Sequence, residues 1–176
     1  MAIIKPVYKN PKPGQPLLAT ISSGCQTPIL EIKYSNLISA FYYPNSQTVP
    51  RYSITCVVDP HLHKEFIKGI QTIEKNENVE TIIKNDLMKQ DGERFTTGNL
   101  NIKFQTKEII PVFIRESDED NSDGEQIELE DELAKGERVK VIYDILRYTK
   151  KNTMKTEHGI SFKPTCIYYY PNKNTK

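Results

Sequence analysis

Aromatic and cationic side chains lie close together in the segment FYYPNSQTVPRY, residues 41 to 52. A protein that binds unpaired nucleic acid without sequence preference needs flat rings on which bases stack, and cations that follow the phosphates. The same residue types recur in LNIKFQTK, residues 100 to 107, and in RYTKK, residues 147 to 151. The candidate nucleic-acid contacts are the tyrosines and cations of these three segments: Tyr42, Tyr43, Arg51, Lys103, Lys107, Arg147, Tyr148, Lys150 and Lys151.

Each candidate also has a purely structural interpretation. A tyrosine often packs its ring against the core while its hydroxyl stays in water, and lysines keep the outer face of a strand soluble. Tyr52 and Phe104 alternate with apolar residues, so we predict that both lie in the core. In IYYY, residues 167 to 170, Tyr169 is predicted to face away from its two tyrosine neighbours, so that one side packs and the other can stack.

The formal net charge of +1 conceals an uneven distribution of charge. Ten acidic residues and no lysine or arginine lie between Glu116 and Glu132, which leaves 13 acidic against 24 basic residues elsewhere. That basic excess suits a polyanionic partner. The acidic run has two interpretations. It is a flexible surface loop over residues 116 to 135, or it imitates DNA and occupies the basic groove until a strand displaces it. It is also a candidate docking segment for replication proteins.

A chain of 176 residues is long enough for one well-cored domain. It has no run of about 18 apolar residues and no signal-like start, so we expect a soluble intracellular protein without a membrane partner. Three cysteines without framework spacing indicate a reducing compartment.

Most of the chain has the composition or the alternation of strands. The strand candidates are ILEIKYSNLISAFYY from Ile29, RYSITCVV from Arg51, LNIKFQTK from Leu100, the short IIPVFI from Ile109, ERVKVIYDILRYTKK after Gly136, and GISFKPTCIYYY from Gly159. In the first of these, which is long enough to bend or bulge, Leu30, Ile32 and Tyr34 are predicted on one face.

Helical signals are confined to the middle of the chain. Asp59 and Pro60 have the pattern of an N-cap and a first helical residue, and apolar residues recur at helical spacing as far as Ile73. A second, shorter helix is predicted around residues 79 to 87. Residues 1 to 28 contain five prolines and are predicted to form an irregular arm.

These elements predict a mainly β protein with about five principal strands. Because no strand–helix–strand rhythm is present, the sheet is expected to be antiparallel, and closure into a small barrel would remove its edges. The predicted domain spans residues 29 to 176, after an arm over residues 1 to 28.

The order of these motifs resembles the OB-fold single-stranded DNA-binding proteins of bacteriophages and some large DNA viruses. The resemblance covers about residues 29 to 170 and rests on YYP, PRYSITCVVD leading into a helix, LNIKFQTK, GERVKVIYDILRYTKK and HGISFKPTCIYY. In that pattern one glycine precedes the fourth strand, here Gly136, and another opens the last strand, here Gly159. The fourth strand ends in an aromatic residue followed by cations, here Tyr148 with Lys150 and Lys151.

The resemblance implies a five-stranded OB-like antiparallel barrel with a helical insertion and a proline-rich N-terminal arm. It also implies sequence-tolerant binding and protection of single-stranded DNA during replication or recombination, in the host cytoplasm for a phage protein. Two features differ from the pattern. The C-terminal tail is basic where family members often carry an acidic one, and the helix follows the second strand instead of the third.

Enzymatic activity has no support in the sequence. Neither GxxxxGK[ST] nor GxGxxG occurs, and no arrangement for nucleophilic catalysis is identifiable by spacing. Glu31 and Lys33 form an ExK fragment like those of metal-dependent nucleases, but no acidic residue precedes it. Cys56, His61 and His63 are close enough in sequence to suggest a metal site, but histidines two positions apart on a helix point in different directions. We therefore expect no catalytic residue, metal or cofactor.

Several alternatives stay open. The aromatic surface also fits a protein-interaction or virion structural module with the acidic run as a docking loop, and a small metal-dependent nuclease is a more distant hypothesis. RNA is an alternative to DNA, because only a contact to the 2′-hydroxyl distinguishes the two. A homo-oligomer is compatible with an uncovered barrel edge.

Overall fold

The structure is a computed structural model that describes residues 17–41, 51–77, 79, 83–116, 124–151 and 156–171, with only the backbone described at residues 17, 18, 39–41, 150, 151 and 156–158. These residues form one helix and nine strands: β1 (Leu17–Gln26), β2 (Leu30–Phe41), β3 (Arg51–Val58), α1 (Lys64–Glu77), β4 (Lys84–Gln90), β5 (Glu93–Thr106), β6 (Val112–Ile114), β7 (Glu125–Ile127), β8 (Arg138–Lys151) and β9 (Thr156–Tyr170). The prediction of a mainly β protein is confirmed.

All nine strands belong to one sheet. Eight follow the order β4-β5-β3-β2-β8-β9-β6-β7. The ninth, β1, pairs with the later part of β8, from Ile142 to Thr149, whereas β2 pairs only with the start of β8. Every pairing is antiparallel except the one between β6 and β9. The predicted antiparallel character is therefore confirmed, and the five principal strands of the prediction correspond to β2, β3, β5, β8 and β9.

The sheet rolls up around a cluster of three aromatic rings. Phe104 on β5 lies 5.0 Å from Tyr143 on β8 and 5.9 Å from Phe162 on β9, measured between ring centroids. In sheet order β5 and β9 are separated by three strands, so this contact requires strong curvature. Within the described residues no backbone pairing joins β5 to β9, and the curved sheet stays open.

The core lies inside this curve. Ile54, Cys56 and Ile102 are fully buried there, as is Phe104, and the prediction that Phe104 is a core residue is confirmed. Tyr52 is partly buried and packs against these core residues. In these strands period-two alternation identified the inner face correctly.

Two predicted elements are wrong. Residues 17 to 26, assigned to the irregular arm, form β1, because the proline-rich stretch ends at Pro16 and the next proline is Pro28. Residues 84 to 87, assigned to a second helix, begin β4. Asp91 and Gly92 take positive φ values of 52° and 83° and form the two-residue turn that pairs β4 with β5.

The helix α1 lies between β3 and β4, after the second of the five principal strands as predicted. It begins at Lys64, so the prediction of an N-cap at Asp59 with Pro60 as the first helical residue is wrong. Asp59 Oδ1 instead accepts the His61 N–H at 2.8 Å in a separate turn before the helix. Ile67 and Ile70 of the helix are buried and belong to the core. None of the helices in the described ranges is both long and apolar enough to cross a membrane.

Part of the acidic run is built into the sheet. Glu125–Ile127 forms β7 against β6, and the Glu132 carboxylate accepts the Leu37 N–H at 2.8 Å and the Ile38 N–H at 2.6 Å. These bonds satisfy backbone N–H groups of β2 beyond Leu30 and Glu31, the two residues that pair with β8. The loop predicted over residues 116 to 135 is therefore shorter, and residues 117–123 lie outside the described residues.

Candidate nucleic-acid interface

A β-bulge in β2 turns Tyr34 outward. Ile32 pairs with Cys56 and Tyr34 with Thr55, so β2 advances two residues while β3 advances one, and Lys33 is the extra residue. A bulge shifts the alternation of side chains by one position. The prediction that Tyr34 shares the inner face with Leu30 and Ile32 is therefore wrong: its side chain is 48% exposed.

Tyr34 begins a row of cross-strand neighbours on the side of the sheet that faces away from the core. Tyr34 on β2 lies opposite Thr55 on β3, and Thr55 lies opposite Lys103 on β5. Directly opposed residues point to the same side of a sheet, and Lys103 is exposed as predicted. Ser53 and Gln105 form the next opposed pair on this side. Ser53 and Thr55 are only 3% and 2% exposed, so they form the buried floor between the more exposed side chains. We call this surface, defined by Tyr34, Ser53, Thr55, Lys103 and Gln105, the β2–β3–β5 face.

Two further candidates lie where the β2–β3–β5 face ends. Arg51 is two residues before Ser53 in β3 and pairs with Phe41, so alternation places it on the same side. Lys107, exposed, directly follows β5. Tyr42 and Tyr43, in the connection between β2 and β3, lie outside the described residues.

The RYTKK patch is divided between two sides of β8. Arg147 approaches Glu77 of α1, with 3.4 Å between the guanidinium and the carboxylate, so its charge is partly compensated. Tyr148 points to the other side, where its ring crosses Gly159 of β9. For Lys150 and Lys151 only the backbone is described. The structure thus does not gather the three predicted segments into one cluster.

The terminal tyrosines also divide as predicted. Tyr169 packs against the core, and burial, with a hydrogen bond to Glu137, raises its pKa to about 12. Tyr168 faces the other way and carries the Arg115 guanidinium 3.5 Å above its ring centroid. Tyr170 is buried, so the outward side of this segment is not an open stacking surface.

A polar network lies beside Tyr34. The ammonium group of Lys33 contacts Asp86 Oδ1 and donates to the Leu87 carbonyl at 3.2 Å, and Thr97 Oγ1 donates to Asp86 Oδ2 at 3.0 Å. Partial burial works to raise the pKa of Asp86, but the hydrogen bonds from Lys33 and Thr97 and the charge of Lys33 outweigh it. The pKa of Asp86 therefore lies below its ordinary value. The network ties β4 to β2.

Sequence reasoning missed two aromatic side chains. Tyr34 and Phe95, exposed by 48% and 46%, are the aromatic residues among the exposed large apolar side chains in the described part of the chain. The signal for Phe95 was the Asp91–Gly92 pair, which predicts a hairpin turn and hence strands on both sides. No comparable local signal marks the bulge that exposes Tyr34.

The described residues contain no group of three or more His, Cys, Asp or Glu side chains that could hold a metal ion. Cys56 is fully buried, and desolvation raises the pKa of its thiol to about 12, which removes it as a nucleophile.

No protein family model and no curated protein sequence matches the chain. Among solved structures, the single-stranded DNA-binding protein of bacteriophage Enc34 in complex with single-stranded DNA matches with a TM-score of 0.58 at 16% identity, over 98% of this chain and 97% of that chain. Its C-terminally truncated form matches with a TM-score of 0.55 at 15% identity, over 99% and 97%.

The chain has the fold of these phage single-stranded DNA-binding proteins. The predicted resemblance is thereby confirmed for the fold. A phage T7 single-stranded DNA-binding protein is more distant, with a TM-score of 0.47 at 14% identity over 86% of this chain and 95% of that chain.

Proposed function

We propose that this protein binds single-stranded DNA without sequence preference and protects it during phage replication or recombination, without enzymatic activity. The observation that carries the proposal is the row Tyr34–Thr55–Lys103, which places an exposed aromatic ring and an exposed cation on one face of a curved sheet, on either side of the buried Thr55. Stacking and phosphate neutralisation on such a face suffice for sequence-tolerant binding.

The position of the face supports the proposal. We take β2, β3, β5, β8 and β9 as the strands of an OB-like barrel, in which β3 and β5 are the second and third. OB-folds bind oligonucleotides on the face of these two strands, between the loop joining strands 1 and 2 and the loop joining strands 4 and 5. Here these connections are residues 42–50 and 152–155. Tyr42 and Tyr43 belong to the first, and Lys150 and Lys151 directly precede the second.

The fold similarity adds independent support, because the structure of the Enc34 protein is a complex with single-stranded DNA. Four predicted residues with described side chains, Arg51, Lys103, Lys107 and Tyr148, are proposed contacts. Within the described residues, the three cations among them form no ion pair. Arg147 is proposed as a weaker contact because Glu77 already compensates part of its charge. The three cysteines are free, which accords with a proposed site of action in the reducing interior of the host cell.

The experiment is a fluorescence anisotropy titration of a labelled oligothymidine with the full chain at low and moderate salt, with duplex DNA and RNA of equal length as competitors. We expect binding that weakens with salt, with a log–log slope of about −0.7 per phosphate contact. Duplex DNA is expected to compete poorly, and the RNA competitor decides the DNA preference. Absence of binding at low salt would overturn the proposal and favour a protein-interaction module.

A further inference from the structure

The β4–β5 hairpin carries an exposed apolar pair near its tip. Met88 on β4 lies directly opposite Phe95 on β5, and the two side chains are 50% and 46% exposed. As a cross-strand pair the two side chains stabilise the hairpin by at most about 1 kcal/mol. Half of the Phe95 ring stays exposed in this pair and offers a flat apolar surface to a ligand.

The Met88–Phe95 pair faces the same side as the β2–β3–β5 face. Lys84 opposes Asn101 on β5, and alternation along β4 places Asp86 and Met88 on the side of Lys84. Contacts confirm the assignment, because Asp86 accepts hydrogen bonds from Thr97 and Asn101 on β5. Asn101 is two residues from Lys103, which belongs to the face.

The hairpin bends towards β2 over this side. In a flat sheet β2 and β4 would lie three strand spacings, about 14 Å, apart, which is more than a lysine side chain spans. Lys33 on β2 nevertheless reaches both Asp86 and the Leu87 carbonyl on β4. The bend occurs where β5 carries extra residues between its pairings to Asn85 and Leu87, at Gly98 with φ 88°. Tyr34 and Phe95 thus border the same concave surface.

The charges along this surface suit a nucleic-acid strand as far as Phe95. Asp86 is compensated by Lys33, while Lys84 and Lys103 are exposed. Glu93, opposite Gln90, follows Phe95 towards the turn on the same side. Because its carboxylate repels phosphate, a bound strand is expected to end its contacts at Phe95.

We propose that Phe95, supported by Met88, is a second stacking platform for a base of single-stranded DNA, and that the β4–β5 hairpin extends the bound strand beyond the β2–β3–β5 face. This inference rests on the proposed function and adds a subsite to it. The platform contacts bases and leaves the phosphates to Lys84 and Lys103, so it acts only on strands long enough to reach the hairpin.

The test compares Phe95→Ala with the wild-type chain on a short and a long oligothymidine, roughly 5 and 15 nucleotides, near the two ends of the site sizes known for OB-folds. We expect Phe95→Ala to weaken binding of the long strand at least about 5-fold, as loss of one stacked base does, and to leave the short strand unaffected. Phe95→Tyr should restore the affinity. Leu87→Ala, an exposed apolar change on the opposite side of the hairpin, is the matched control and should bind like the wild type.

Photocrosslinking supplies a readout that does not depend on affinity. A long oligonucleotide substituted with 5-iododeoxyuridine should crosslink to the peptide that contains Phe95, and the Tyr34 peptide should crosslink with both lengths.

Three results separate the possible failures. If the wild-type chain binds neither length, the proposed function itself is wrong. If it binds both and Phe95→Ala behaves like the wild type on the long strand, the subsite is wrong while the proposed function stands. If Phe95→Ala instead abolishes self-association in sedimentation and leaves DNA affinity unchanged, the hairpin is a contact between copies of this chain and the subsite is again overturned.

Discussion

The ring of Tyr148 lies directly across the backbone of Gly159. The two residues are opposed in the β8–β9 pairing, and a Cβ at position 159 would come within 2.5 Å of the Tyr148 Oη and 2.6 Å of its Cζ. The glycine noted at the start of the last strand in the sequence thus has a structural reason, since any side chain there would displace the ring.

We therefore predict that Gly159→Ala lowers the free energy of unfolding by about 1 kcal/mol, the low end of the cost of overpacking, because the outer end of the half-buried Tyr148 side chain can shift. Urea denaturation measures it. In a Tyr148→Ala background the same substitution should cost little, because the ring that it displaces is gone. Equal costs in the two backgrounds would show that Gly159 is required for another reason.

The β2–β3–β5 face gives the second prediction. Tyr34→Ala should weaken binding of oligothymidine by about 1–3 kcal/mol at every salt concentration, because it removes one stacking surface. Lys103→Ala should instead reduce the salt dependence, by about 0.7 in the log–log slope, because it removes one phosphate contact. Anisotropy titrations across a salt series measure both effects.

Lys68→Ala is the matched control for Lys103→Ala, since Lys68 is an exposed lysine on α1. It lowers the net charge by the same amount but lies off the face. Equal changes of slope in the two lysine variants would mean that binding responds to net charge alone and that the face is not the site.

Local pattern was sufficient where one side of a strand packs regularly. Phe104 on β5 was assigned to the core by alternation and is completely buried, as are Ile102 two residues before it and Ile54 and Cys56 on β3. Composition alone also favoured strands, because β-branched and aromatic residues dominate these segments. The inner half of the fold was therefore predictable.

Non-local structure decided what was missed. The strand β1 pairs Leu17 with Thr149, a partner that no local pattern identifies. Tyr34 is turned outward by the extra residue Lys33, and the ion pair of Lys33 with Asp86 depends on the bend of a hairpin more than 50 residues further along the chain. The position of the candidate site depends on this bulge and on this ion pair. The sequence therefore indicated which residue types bind DNA better than it indicated where they lie.

The Lys33–Asp86 pair gives a prediction for acid stability. The pKa of Asp86 is lower in the folded chain than its unfolded value of about 3.9, so the pair contributes fully above that pH. The contribution is lost as the pH falls through the folded pKa. The difference in free energy of unfolding between the wild type and Asp86→Asn should therefore be largest at neutral pH and shrink below about pH 4. Urea denaturation at a series of pH values measures it.

Lys33→Met should show the same convergence with the wild type in acid, because it removes the other partner of the pair. A difference between wild type and Asp86→Asn that persists unchanged in strong acid would assign the effect of that substitution to packing and not to charge.

The acidic run gives the last prediction. The segment of residues 117–123 joins β6 to β7 and carries four acidic side chains, Asp118, Glu119, Asp120 and Asp123. If it competes with DNA for the basic surface, replacing these four with their amides should raise the affinity for oligothymidine at low salt. The gain should fade in high salt, because the screening length shortens from about 10 Å at 0.1 M to about 3 Å at 1 M.

A matched variant separates competition from net charge. Glu65→Lys, Gln71→Lys and Asn76→Lys together add the same four units of positive charge on exposed positions of α1. Competition predicts a larger gain for the amide variant, together with faster association, because the wild-type segment must leave before a strand enters. Equal gains in affinity in the two variants would show that the acidic run acts only through long-range electrostatics and does not occupy the binding surface.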